Sequence, residues 1–241
     1  MSGHSKWNNI KNKKAKTDAQ KGKIFTKIGK EIAIAVREGG PDPSNNSKLR
    51  DLIAKAKSNN VPNDNIDRAI KKASGANAVV YEEIVYEGYG PSGVAIIVET
   101  STDNRNRTAG NVRAWFNKYG GNLGQNGCVS YLFEEKGVIT IVDEDEEIDE
   151  DKIMEDALEC GAEDIRCDEG EYTIYTAVED FDTVRDAIVS LGYKLDTADI
   201  AKVPSTYVDL ENPEDIENME KMLDKFNEDD DVNAVYHNWN A

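Results

Sequence analysis

The chain has 241 residues, of which 39% are hydrophobic and 32% are charged, and its net charge is -18. It contains no run of about 18 apolar residues, which argues against a membrane-spanning helix, and its N-terminus lacks the apolar stretch of a secretory signal. The three cysteines, Cys128, Cys160 and Cys167, are odd in number and widely spaced. We therefore expect a reduced, cytoplasmic protein without a disulfide framework.

The charge is divided unevenly along the chain. Residues 1–75 hold 17 Lys+Arg and 7 Asp+Glu, a net charge of +10. Residues 76–241 hold 12 Lys+Arg and 40 Asp+Glu, a net charge of -28. Such an asymmetry indicates a basic module that meets a polyanion and is carried on acidic domains.

The basic module opens with "HSKWNNIKNKKAKTDAQKGK" at residues 4–23, which holds seven lysines and one acid. Lysines release counterions from phosphates, and an exposed indole or amide can contact a base, so the arm predicts nucleic-acid binding. A solvated terminus without a partner is the alternative. The candidate contacts are Lys6, Trp7, Asn8, Asn9, Lys11, Lys13, Lys14, Lys16, Lys21 and Lys23.

Three helices are predicted after the arm, from Phe25 to Glu38, from about Asn46 to Ser58, and from Asn63, as N-cap, to a stop at Gly75. Each has one narrow apolar stripe, so the three should pack together. The connection of residues 39–45 is longer than the usual turn of a helix-turn-helix motif. The helices also carry few side chains that could form paired hydrogen bonds with a base, so the sequence favours contact with the nucleic-acid backbone. Further candidate contacts on these helices are Lys27, Lys30, Arg68, Lys71 and Lys72.

The remaining sequence predicts two α+β domains. Residues 79–134 give a hairpin around a Gly-Pro-Ser-Gly turn, a helix, and a strand at 128–134, and the tail adds one more helix and strand. Residues 136–203 read β-α-β-β-α-β, the order of a ferredoxin-like unit. The predicted fold is therefore α+β with three domains: residues 1–75, residues 79–134 plus 206–241, and residues 136–203 inserted into the second.

The start of the helix in the first α+β domain carries two arginines, Arg105 and Arg107, in "TDNRNRT". Positive charge is unfavourable at a helix N-terminus. Two explanations stay open: the arginines bind phosphate, or they form salt bridges with neighbouring carboxylates.

Signals for catalysis or cofactor binding are weak. The acidic run "DEDEEIDED" at 143–151 lacks EF-hand spacing and reads as a solvated face, while Cys160 and Cys167 have no histidine nearby. The two histidines, His4 and His237, suggest no nucleophile–base pair. We expect no enzyme activity, cofactor, metal or small-molecule substrate.

Three stretches resemble the YebC/PmpR family: "GHSKWNNIKNKKAKTDAQKGKIFTKIGKEI", "NVPNDNIDRAIKKASG" and "YEGYGPSGVAIIVETSTDNRNRTAGNVRAWFNKYGGNLGQNGCVSYLF". The resemblance implies a three-domain protein of the bacterial cytoplasm whose relatives are described as probable transcriptional regulators. A mitochondrial relative is a translational activator of cytochrome c oxidase, and the family is also linked to ribosomes and to elongation through consecutive prolines. The resemblance carries no settled catalytic or ligand site.

Two functions follow as alternatives. The first is a DNA-binding transcriptional regulator, and the second is a ribosome-associated translation factor that contacts structured RNA. An acidic protein-interaction scaffold is a third class, which would leave the lysine arm idle. We expect no membrane partner and favour a monomer, since the sequence offers no evident device for dimerisation.

Overall fold

The computed structural model describes residues 18–143, 148–168 and 170–240, and within them it leaves out the side chains of residues 18–21 and 58. Over these ranges no helix combines the length and apolar character needed to span a membrane. The fold is α+β, as predicted, with helices first and two antiparallel sheets after them.

The N-terminal helices pack around a shared apolar core, as their stripes predict. Ile32 of the first helix, Leu49 of the second and Ile66 of the third are all buried within it. The first helix begins seven residues earlier than the predicted Phe25. The helices are α1 (Asp18–Gly39), α2 (Ser47–Ser58) and α3 (Asn63–Ala73).

The caps of α2 and α3 differ from each other. Asn46 caps α2, because its side-chain oxygen accepts a hydrogen bond from Leu49 N at 3.0 Å. The prediction that Asn63 caps α3 is wrong, since Asn63 is the first residue of that helix and Pro62 holds the N-cap position without a side-chain bond. The fixed φ of proline, here -59°, sets the entry to α3 without help from a polar side chain.

The first sheet has the strand order β3-β1-β2-β9, and all its pairings are antiparallel. Its last strand comes from the tail of the chain, as predicted. Two helices accompany it, and Phe116 of one packs against Phe226 of the other with ring centroids 5.4 Å apart. The elements are β1 (Glu82–Tyr89), β2 (Ala95–Thr102), α4 (Arg105–Lys118), β3 (Asn122–Leu123), α7 (Pro213–Glu228) and β9 (Val232–His237).

The predicted strand at 128–134 is wrong for residues 128–132, and only its last two residues, Phe133 and Glu134, belong to a strand. The carboxylate of buried Glu87 accepts hydrogen bonds from the backbone N–H groups of Gly127 and Val129, both at 2.9 Å. These donors are therefore satisfied by a side chain instead of a strand ladder. A short 3-10 turn follows at Ser130–Leu132, and the third strand of the first sheet is β3.

The second sheet has the order β5-β6-β4-β7 with antiparallel pairing throughout, which is the ferredoxin-like arrangement that the sequence predicts. Its core is centred on Ile139, Ile153, Ile174 and Ile188, all fully buried. The elements are β4 (Phe133–Val142), α5 (Glu150–Glu159), β5 (Asp164–Asp168), β6 (Glu171–Thr176), α6 (Phe181–Ser190) and β7 (Thr197–Pro204). A separate parallel pair joins β8 (Val208–Asp209) to β10 (Trp239–Asn240).

The described chain packs into two compact units. The first combines residues 18–129 with 210–237, so α1–α3 and the first sheet belong together. The second combines residues 130–209 with 238–240, and it includes the β8–β10 pair. The predicted boundaries of three domains stay a prediction.

Candidate nucleic-acid interface

Most of the predicted contacts of the lysine arm lie outside the described residues. The backbone of Lys21 is part of α1, but the structure does not describe its side chain. The arm residues concerned are Lys6, Trp7, Asn8, Asn9, Lys11, Lys13, Lys14 and Lys16. Their role in binding nucleic acid stays a prediction.

Lys23 and Lys27 of α1 contact the C-terminal part of the chain. Lys23 and Lys27 lie one helical turn apart and both point at the last turn of α7. Lys23 Nζ donates to Glu228 O at 3.0 Å, and Lys27 Nζ donates to Asn227 O at 3.5 Å. The last carbonyls of a helix have no partner within it and carry partial negative charge. These two lysines therefore cap α7 from a neighbouring helix.

Lys27 has little solvent around its ammonium group. Its pKa is lowered from 10.5 to about 8, mainly by burial and then by repulsion from Lys23, while Asp230 and Asp229 act in the opposite direction. A cation held in this way is poorly suited to contact phosphate, because it is already desolvated and enclosed.

Lys30 is the third lysine on this side of α1, and it forms a buried ion pair. Its Nζ lies 2.6 Å from Asp231 Oδ1 and 2.9 Å from Asp230 O, and the ring of Tyr81 lies 5.7 Å away. The side chains of Lys30 and Asp231 are only 11% and 5% exposed. The pair thus joins α1 to the turn between α7 and β9 within the first unit.

Arg107 approaches the same carboxylate from α4. Its Nη2 lies 2.6 Å from Asp231 Oδ2 and 2.9 Å from Asp103 Oδ1, and its Nε lies 3.1 Å from Asp231 Oδ2. Thr108 Oγ1 also donates to this carboxylate at 2.9 Å. For Arg107 the structure therefore shows the salt-bridge arrangement, one of the two alternatives left open above.

The electrostatics of Asp231 follow from these contacts. Burial alone would raise its pKa, but the hydrogen bonds from Lys30, Arg107 and Thr108 outweigh burial and hold the pKa at about 2. Asp231 is therefore ionised at neutral pH and compensates two cations inside the first unit.

Arg105, the other arginine predicted to contact phosphate, differs from Arg107 in having no salt bridge to a described carboxylate. It is exposed at the first position of α4, and among the described residues it forms no ion pair. Phosphate contact stays a prediction for this residue.

The exposed cations of α3 also lack carboxylate partners in the described part of the chain. Arg68, Lys71 and Lys72 project away from the core side that holds Ile66, and the only hydrogen bond among them is from Arg68 Nη1 to Asn65 Oδ1 at 3.4 Å. They are the predicted contacts that remain accessible on the helical part.

Three further cations of this kind were missed by the sequence reasoning: Arg37, Arg50 and Lys57. All three are exposed and form no ion pair with a described residue. The spacing of charges in the sequence does not identify them: none has an acidic residue three or four positions away, but neither does Lys30, which is ion-paired. Lys48 and Lys55, by contrast, reach Glu38, Glu83 and Glu31 at 3.3–3.8 Å.

Other chemistry is sparse in the described ranges. Residues 18–143, 148–168 and 170–240 hold no group of three or more His, Cys, Asp or Glu side chains arranged to bind a metal ion. Burial raises the pKa of the Cys128 and Cys167 thiols, which favours their unreactive protonated form. In the acidic run, Asp143 accepts from Ile148 N and Asp149 caps α5, so two of its carboxylates organise the local backbone.

Family models cover nearly the whole chain. The TACO1/YebC protein N-terminal domain matches residues 5–76, and the TACO1/YebC second and third domain matches residues 81–239. The boundary between the two matches lies just after α3.

Relatives match this chain over nearly its full length. A protein of Acetivibrio thermocellus named "Probable transcriptional regulatory protein" is 57% identical over 240 residues, 99% of each chain, and one of the same name from Finegoldia magna is 54% identical with the same coverage. A crystal structure of a conserved hypothetical protein from Aquifex aeolicus has a TM-score of 0.82 and 44% identity, covering 93% of this chain and 92% of that one. The chain belongs to the TACO1/YebC family.

Proposed function

We propose that the protein is a transcriptional regulator that binds DNA through its N-terminal helical part and has no enzymatic activity of its own. The observation that carries the proposal is a set of exposed cations on the helices that no described carboxylate neutralises, in a chain of net charge -18. Unneutralised cations on one small helical module supply the counterion release that drives binding to a polyanion.

Relatives support the regulatory role through their names. Proteins 54–57% identical to this chain over 99% of its length are named probable transcriptional regulatory proteins. The acidic part of the chain contributes to DNA binding by repulsion, since residues 76–241 carry a net charge of -28 and repel phosphate. This repulsion orients the molecule with its helical part towards the nucleic acid and limits non-specific attachment elsewhere.

Titration of the purified protein against a promoter fragment and bulk duplex DNA over a salt series tests the proposal. Co-sedimentation with ribosomes at the same salt concentrations runs in parallel. A transcriptional regulator should prefer its promoter over bulk DNA by roughly a thousandfold or more.

Two results would contradict the proposal that the protein binds DNA as a transcriptional regulator. If DNA binding shows no sequence preference and fades with salt while ribosome binding survives physiological salt, the protein is a ribosome-associated factor, and the DNA proposal is wrong. If neither partner is bound, the helical part does not bind nucleic acid.

A further inference from the structure

The cations of the helical part fall into two groups with different partners. One group is engaged within the first unit, by ion pairs or by hydrogen bonds to backbone carbonyls: Lys23, Lys27, Lys30, Lys48 and Lys55. The other group is exposed and has no carboxylate partner among the described residues: Arg37, Arg50, Lys57, Arg68, Lys71 and Lys72. The sequence treats both groups alike, and only the packing separates them.

Within the first group, Lys30 is costly to redirect towards a ligand. Moving Lys30 to a phosphate would leave Asp231, which is 4% exposed, with one of its two cations missing. Buried charges that lose a partner are strongly unfavourable, whereas a phosphate contact at a solvated surface is a weak interaction. Lys30 is therefore expected to stay paired with Asp231 when a polyanion binds.

The second group is arranged on regular faces. Arg68, Lys71 and Lys72 are spaced i, i+3, i+4 and share the exposed face of α3. Arg50 and Lys57 are seven residues apart, two helical turns, and share the exposed face of α2. Neither face requires an ion pair with a described carboxylate to be broken before a phosphate can be reached. Among the described residues, the only side-chain hydrogen bond of these cations is the exposed one from Arg68 to Asn65.

We propose that the phosphate-binding surface of the described helical part is formed by α2 and α3, through Arg50, Lys57, Arg68, Lys71 and Lys72, and excludes Lys23, Lys27 and Lys30 of α1. The proposal rests on the proposed function, since it names the surface that the nucleic acid meets. The ligand is the sugar-phosphate backbone. Asn65, an amide that could otherwise read a base, accepts a hydrogen bond from Arg68. Contacts of lysine and arginine to phosphates fix position without reading sequence.

Two double variants of α2 give a matched test, because both lie on one helix and remove two positive charges. Arg50→Gln with Lys57→Gln removes exposed cations without a carboxylate partner, and Lys48→Gln with Lys55→Gln removes two cations that contact glutamates. A third variant, Arg68→Gln with Lys71→Gln and Lys72→Gln, covers α3. The probe is a mixed-sequence 24-base-pair DNA duplex, titrated at several salt concentrations with the full chain.

The expected readout is the slope of log K against log salt concentration. Each phosphate contact contributes about -0.9 to this slope, so the first double variant should flatten it by about 1.8 and the α3 variant by about 2.7. The Lys48/Lys55 variant should keep the wild-type slope. Thermal unfolding of each variant confirms that it is folded.

The outcomes separate the inference from the proposed function. If the wild-type chain fails to bind the duplex, the proposed function fails and the inference fails with it. If the wild type binds but the α2 and α3 variants keep its slope, the function stands and the surface lies elsewhere. Equal losses in both double variants would show that net charge alone decides binding, which also overturns the proposed surface.

Discussion

Lys30 of α1 and Asp231 form a buried ion pair, with 2.6 Å between Nζ and Oδ1, although 201 residues separate them in the sequence. The same carboxylate also binds Arg107 of α4. One aspartate thus connects the helical part, the end of α7 and the start of α4 inside the first unit. Buried ion pairs are specific in geometry, and they are strongly destabilising when one partner is removed.

Replacing Asp231 should therefore destabilise the first unit. Asp231→Asn leaves Lys30 and Arg107 without their shared carboxylate, and we expect a loss of about 3 kcal/mol in the free energy of unfolding. Urea denaturation measures it. Asp230→Asn is the matched control, because Asp230 is exposed and only its backbone oxygen contacts Lys30. Equal stability of the two variants would contradict the role of the ion pair.

Acid should weaken the same contact. The pKa of Asp231 is about 2 in the folded chain against an ordinary value of 3.8, so the unfolded chain binds more protons between these values. The stabilisation, about 2 kcal/mol, is complete above pH 4 and is lost as the pH falls towards 2. The stability difference between the wild type and Asp231→Asn should therefore shrink over this range. A difference that stays constant down to pH 2 would argue against this coupling.

Lys27→Met should have the opposite effect on stability. The pKa of Lys27 is about 8 when folded and 10.5 ordinarily, so the folded chain holds this proton less tightly than the unfolded chain. Below pH 8 the enclosed charge destabilises the fold, and wild-type stability recovers between pH 8 and 10.5. Methionine should raise stability at pH 7 by about 1–3 kcal/mol, and the gain should vanish near pH 10. Chemical denaturation at both pH values checks this, with exposed Lys57→Met expected to change little.

Two glycines of the first unit should respond in opposite directions to alanine. A Cβ at Gly88 would lie 2.6 Å from Asn122 O and 2.9 Å from Phe116 Cε1, so Gly88→Ala must disturb the β1–β3 pairing. Gly110 lies in α4 with open space around it, and alanine there should stabilise the helix by up to about 1 kcal/mol. Thermal unfolding midpoints should fall for the first variant and rise for the second.

Much of the fold could be predicted from the sequence because its signals are local. The stripe that holds Ile28, Ile32 and Val36 marks the buried side of α1, and all three are buried. The polar residues Thr102, Asp103 and Asn104 predict the start of α4, and the structure shows that Asn104 is its N-cap, since the side chain accepts from Arg107 N at 3.1 Å. The β-α-β-β-α-β order predicts the second sheet, because few topologies accommodate that order.

The error at residues 128–132 occurred where a distant side chain replaced a regular partner. Glu87, some 40 residues away in the chain, accepts hydrogen bonds from the backbone N–H groups of Gly127 and Val129, and the strand begins only at Phe133. The sequence of residues 128–134 gives no sign of this contact with Glu87, since its apolar residues fit a strand well.

The division of the chain into a basic helical part and an acidic α+β part can be predicted from the amino-acid sequence, because charge and periodicity are properties of neighbouring residues. Which cations remain available to a partner depends instead on how distant segments pack. Lys30 and Lys71 look equivalent in the sequence, yet Lys30 meets Asp231 and Lys71 faces solvent. The difference arises because the neutralising groups come from a segment about 200 residues away, and folding alone brings it to α1.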